Sequence, residues 1–98
     1  MFIFRNRRGR LTKFLEHAKR FGLSDTDSRN AAIFLDHNEF GLCFETVITQ
    51  MYEYEVRIDI EFYELIDEIG KEMNLALDSY SFMKELIDGG NEISQIRK

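Results

Sequence analysis

Tyr52-Glu53-Tyr54-Glu55-Val56-Arg57-Ile58-Asp59-Ile60-Glu61-Phe62 is the stretch on which the fold class turns. Its apolar residues alternate strictly, from Tyr52 through Tyr54, Val56, Ile58 and Ile60 to Phe62. Period-two alternation with β-branched residues is a strand signal. A strand needs a partner, however, and only Phe2-Ile3-Phe4 offers one. Both ends of the run are also claimed by helical stripes. Upstream, Phe40, Phe44, Val47 and Met51 recur at spacings of 4, 3 and 4; downstream, Phe62, Leu65, Ile66, Ile69 and Met73 fall on one helix face. We therefore read residues 54–58 as an extended connection between two helices. The expected fold is all-α, a compact bundle of four to five short helices. The alternative adds a small two-stranded ribbon made of residues 2–4 and 54–58.

Working outward, the helix before this stretch is expected over residues 39–53, capped by Asn38. Gly41 inside it costs roughly 1 kcal/mol against Ala, which suggests close approach of a neighbouring helix. The helix after it is expected over residues 60–73, capped by Asp59. Leu11, Phe14, Leu15 and Ala18 define a first helix over residues 8–21, stopped by Gly22. Ser24 and Asp27 resemble a capping box, with Asp in place of Glu, and open a second helix over residues 25–36. A fifth, shorter helix is expected over residues 80–87, ended by Gly89-Gly90, with residues 89–98 a frayed tail. The whole chain is read as a single helical domain, with residues 1–8 a basic N-terminal segment.

Composition limits the chemistry. The chain has 98 residues, too few for a second core, and nine Phe to fill the first. Cys43 is the sole cysteine, so neither an internal disulfide nor a thiolate metal cluster can form, and it reads as a small buried hydrophobe. No run approaches a membrane span, and the N-terminus lacks the apolar stretch of a secretory signal; a cytoplasmic protein is expected. Residues 1–20 carry seven basic residues against Glu16 alone, whereas the remainder holds seventeen acidic residues against six basic ones. An acidic surface of that kind repels nucleic acid and anionic membrane and attracts basic partners.

Motifs for catalysis are absent. His17 and His37 have no companion at metal-ligand spacing, and there is no phosphate loop, nucleophile elbow or dinucleotide fingerprint. Glu61, Glu64 and Glu68 lie opposite the apolar face of their helix, whereas a ferritin-type carboxylate site projects inward and requires Glu-x-x-His pairs. We expect no enzyme activity, cofactor or metal. The basic segment, residues 5–10, could form a phosphate-contacting arm; a solubilising N-terminal turn, able to pair with the acidic helices of the same chain, is favoured. The remaining candidate is an acidic, tyrosine-bearing surface made of Tyr52, Glu53, Tyr54, Glu55, Asp59, Glu61, Tyr63, Glu64, Asp67 and Glu68. Its aromatics would supply desolvated anchors and its carboxylates would steer a basic partner. Tyr63 falls off the apolar stripe on this count, although the tyrosines can also be read as partial core residues with wet hydroxyls.

Residues 33–45, Ile-Phe-Leu-Asp-His-Asn-Glu-Phe-Gly-Leu-Cys-Phe-Glu, resemble the central motif of the small helical immunity proteins of bacterial polymorphic toxin systems. These are the MafI-type family and related contact-dependent-inhibition immunity proteins. Glu39-Phe40-Gly41-Leu42-Cys43-Phe44-Glu45 matches the family's Glu-aromatic-Gly-Leu-Ala segment and following Glu, with Cys for Ala. Ile58-Asp59-Ile60-Glu61-Phe62-Tyr63-Glu64-Leu65-Ile66 resembles the helix that follows its extended linker. The similarity spans about residues 10–75 and is one of residue classes. It implies an antidote to a toxin C-terminal domain, often a nuclease with a basic cleft, delivered by neighbouring bacteria. Glu39, at the junction, is expected to tie two helices together. Readings from other classes are a helical nucleic-acid-binding regulator using the Arg-rich N-terminus, and a helical adaptor subunit.

Overall fold

A computed structural model describes residues 6–88. The expected tail at 89–98, and residues 2–4 of the alternative ribbon, lie outside the described residues. Four helices make up the bundle: α1 (Arg7–Phe21), α2 (Asp25–Asp36), α3 (Phe40–Glu53) and α4 (Ile60–Glu72). Two short 3₁₀ segments follow, Leu77–Ser79 and Ser81–Leu86.

Local chemistry sets the helix ends. Asn6 accepts the Gly9 N–H at 2.9 Å and opens α1. Asp59 opens α4 as expected, accepting the Phe62 N–H at 2.8 Å. Ser24 accepts the Asp27 N–H at 3.1 Å, and its hydroxyl donates to the Asp27 carboxylate at 3.1 Å. The box closes on a hydroxyl here because Asp is one methylene shorter than the Glu that reaches the backbone. At the other ends, Gly22, Asn38, Glu55 and Asn74 all take positive φ and close the last turns of α1 to α4. Asn38 thus terminates α2 and does not cap α3. The N-cap position of α3 is Glu39, whose side chain makes no cap hydrogen bond. The two helices are joined there by the Glu39 N–H, which donates to the Phe34 carbonyl at 2.8 Å.

The alternating stretch is broken among three elements. Tyr52 and Glu53 finish α3, Ile60 to Phe62 begin α4, and Ile58 between them makes a single parallel bridge to Ile87. The Ile58 N–H donates to Leu86 O at 3.0 Å, and its carbonyl accepts from the Asp88 N–H at 2.9 Å. Alternation fails as a burial pattern, because Tyr52, Tyr54 and Ile60 are exposed while Ile58 and Phe62 are buried. The fifth helix is 3₁₀ rather than α. At roughly 2.0 Å per residue against 1.5 Å, a 3₁₀ segment reaches further for its length, and its end is fixed by the backbone bonds to Ile58.

Aromatic packing organises the core. Phe14 stacks on Phe62 with centroids 5.5 Å apart, and also contacts Phe44 at 5.3 Å; Phe21 closes on Phe62 at 5.1 Å. Leu11, Ala18, Cys43, Val47, Met51, Ile66 and Met83 are fully buried around them. The close approach expected at Gly41 is found instead at Gly70 of α4. Nothing approaches Gly41, whereas a Cβ on Gly70 would collide with the Tyr80 ring. Ala at position 41 is therefore expected to stabilise the fold by roughly 0.5–1 kcal/mol. Ala at position 70 is expected to destabilise it by about 1–3 kcal/mol through overpacking. Urea midpoints of the two variants should shift in opposite directions.

Candidate protein-binding surface

The charges sort themselves along the seam between α1 and α4. These helices run antiparallel, so the start of α1 meets the end of α4. Arg10 Nη2 lies 2.7 Å from Glu68 Oε1, and its Nε lies 3.4 Å from Glu72 Oε1. Arg7 donates to the Glu72 carbonyl at 3.4 Å. Lys71 pairs with Asp67 at 3.1 Å. Arg8 turns the other way, donating to Leu35 O at 3.0 Å and to Asn38 Oδ1, with its guanidinium 5.7 Å from the Phe40 centroid. While the Glu72 side chain is the more buried member of the set, surface pairs such as Arg10–Glu68 and Lys71–Asp67 add at most about 1 kcal/mol each. Their larger effect is on the distribution of charge: Arg7, Arg8 and Arg10 are held against the chain's own groups, and the carboxylates at the end of α4 are neutralised.

The ten residues singled out from the sequence separate accordingly. Tyr63 is buried, which corrects its expected place off the apolar face; the Lys84 ammonium lies 5.7 Å from its ring centroid. Burial, and then the Asp67 charge, raise its pKa. Asp67 accepts the Tyr80 hydroxyl at 2.8 Å, and that bond, followed by the one from Lys71, holds its carboxyl below the usual range. Glu68 belongs to Arg10, and Asp59 is committed to its cap. Tyr52 donates its hydroxyl to Glu85 at 2.7 Å and sets its ring edge-on to Phe82 at 4.9 Å, so it is exposed but fixed. Glu53, Tyr54, Glu55, Glu61 and Glu64 remain. All five are exposed, and the four carboxylates have no hydrogen-bonding or ion-pair partner among the described residues. Tyr54 is 68% exposed and Ile60, beside them in sequence, 49%. Ile60 is not one of the ten, although its place two residues before Phe62 sets it off the inner stripe of α4.

Burial pushes the Cys43 thiol up to about 11, which leaves it protonated and unreactive. His17 Nδ1 lies 2.9 Å from Arg20, and His37 Nδ1 lies 2.9 Å from Ile33 O. Among the described residues no three His, Cys, Asp or Glu side chains are grouped to hold a metal ion, and no helix is long and apolar enough to cross a membrane. Comparison with known protein families, with curated proteins and with solved structures finds no match to this chain.

The Tyr80–Asp67 bond gives the structure a pH signature. Burial first, then the bond to Asp67, raises the Tyr80 hydroxyl from 10.0 to about 12. A raised folded pKa contributes stability that is complete below pH 10 and is lost as pH rises through about 12. The depressed Asp67 carboxyl works in the opposite sense, contributing stability that is lost as pH falls below 3.8. Tyr80→Phe should therefore lower the melting temperature at neutral pH and flatten both limbs of its pH dependence. A variant whose thermal pH profile runs parallel to that of the parent contradicts this assignment.

Proposed function

We propose that this chain is an immunity protein. In the cytoplasm it binds and neutralises a cognate toxin domain, a nuclease delivered by neighbouring bacteria, by blocking its basic active-site cleft. It works by binding alone and performs no catalysis. The observation that carries the proposal is the exposed set Glu53, Glu55, Glu61 and Glu64, without ion-pair partners among the described residues, in the same stretch of chain as exposed Tyr54 and Ile60. A nuclease cleft holds cations spaced to receive phosphates, and carboxylates on a rigid frame can occupy the same positions. Tyr54 and Ile60 supply apolar area that is desolvated on contact, and aromatic anchors of this kind dominate interface energies. The unpaired charges raise the association rate, towards roughly 10⁸ M⁻¹s⁻¹ at low salt. The motif resemblance over residues 33–66 points the same way.

Glu55 adds an independent indication. Its φ of +53° places a glutamate where α1, α2 and α4 end on Gly22, Asn38 and Asn74. A side chain with a Cβ in this region costs on the order of 1 kcal/mol, and such strain tends to collect at functional positions. Glu55→Gly should therefore raise the melting temperature while weakening neutralisation.

The arm-like use of the arginines is disfavoured, since Arg7, Arg8 and Arg10 are already engaged within the chain. The direct test is protection of cells expressing the toxin domain encoded beside this chain. Replacing Glu55, Glu61 and Glu64 by Lys should abolish protection and leave the circular dichroism spectrum intact. Full protection by that variant would show that the toxin binds elsewhere.

A further inference from the structure

We propose that the groove between α2 and α3 is a second docking site, and that its occupant is a basic amphipathic helix of a partner protein. The groove is open, encloses about 620 Å³, and is lined by Asp27, Asn30, Ile33 and Phe34 of α2 and by Glu45, Thr46, Thr49 and Gln50 of α3. It lies outside the surface proposed above, and it stands whether or not the partner is a toxin.

Three properties define the occupant. The first is apolar area. Ile33 is 54% exposed on the groove wall. Leu42, 44% exposed, precedes Glu45 and Thr46 by three and four residues and so shares their face of α3. Within the lining itself, Ile33 and Phe34 are the apolar side chains that the apolar face of an amphipathic helix would cover. The second property is charge. The groove lining carries Asp27 and Glu45 and no Lys or Arg, so the flanks of the occupant must be basic. The third is preorganisation. α2 and α3 are the most extensively packed pair in the bundle, and Gln50 ties the walls together by donating to Asp27 at 3.3 Å. A preformed groove orders little on binding, which favours affinity. α2 has 12 residues and so measures about 18 Å, enough to seat about three turns of a partner helix. A second copy of this chain is a poor occupant. About a two-fold axis it would bring Asp27 and Glu45 against the same carboxylates, and like charges in apposition oppose association.

The test is a titration of the isotope-labelled chain with a synthetic helical peptide of about 14 residues, Leu on one face and Lys on the other. A control peptide replaces every Leu by Gln. The Leu/Lys peptide should shift the amide resonances of Asn30, Ile33, Thr46 and Thr49. Ile33→Lys combined with Glu45→Lys, both exposed positions, should weaken binding at least tenfold without lowering the melting temperature. The Gln control should leave the groove unperturbed. Shifts confined to residues 53–64 would reject the groove while leaving the acidic end supported. Equal binding of the two peptides, unchanged affinity of the variant, or no binding would overturn the proposal. Self-association of the chain through this face, detected by sedimentation, would do the same by naming a different occupant.

Discussion

The antiparallel contact of α1 with α4 sets the rest of the molecule. At its centre Phe14 stacks flat on Phe62, and at its rim Arg10 lies between Glu68 and Glu72. The apolar centre supplies the free energy, since an aromatic pair removes large areas from water and adds roughly 1 kcal/mol beyond that burial. The charged rim supplies little stability, but it fixes where negative charge is spent. A chain with basic residues gathered near its start and acidic residues elsewhere could have paired them in several ways. Antiparallel packing brings the basic end of α1 to the far end of α4. Glu53, Glu55, Glu61 and Glu64, at the α3–α4 end, are then left without an ion-pair partner among the described residues.

The C-terminal segment completes this arrangement. Tyr80 crosses α4 where Gly70 leaves space for its ring, and its hydroxyl reaches Asp67. Leu86 and Asp88 then take both backbone groups of Ile58. The connection between α3 and α4 is in this way tethered from behind, so Glu53, Tyr54 and Glu55 project from a braced turn and not from a free loop. A surface held on a rigid frame loses less entropy when it binds, and more of its contact energy appears as affinity.

Much of this was legible in the sequence. The i, i+3, i+4 stripes and the caps at Ser24, Asp59 and Gly22 marked the four helices closely, because local hydrogen bonding and burial periodicity dictate them. What escaped was set by contacts distant in sequence. The partner of Ile58 lies about thirty residues away, and no local pattern announces a one-residue bridge. The close approach at Gly70 depended on where Tyr80 packs. The acidic stretch was visible as a whole, but its division was not: separating Glu61 and Glu64 from Glu68 required knowing which turn of α1 faces which turn of α4. Tyr63 was misplaced because the 3₁₀ segment, with Lys84 over its ring, extends the buried face of α4 beyond its own stripe.

The most direct measurement is backbone hydrogen exchange of the chain, free and mixed with the proposed partner, a basic nuclease toxin domain. An acidic, aromatic end that occludes a basic cleft predicts slowed exchange over residues 53–64, with the outer face of α1 unchanged. Slowing over Thr12, Glu16 and Lys19 on α1, with residues 53–64 exchanging as in the free chain, would contradict it.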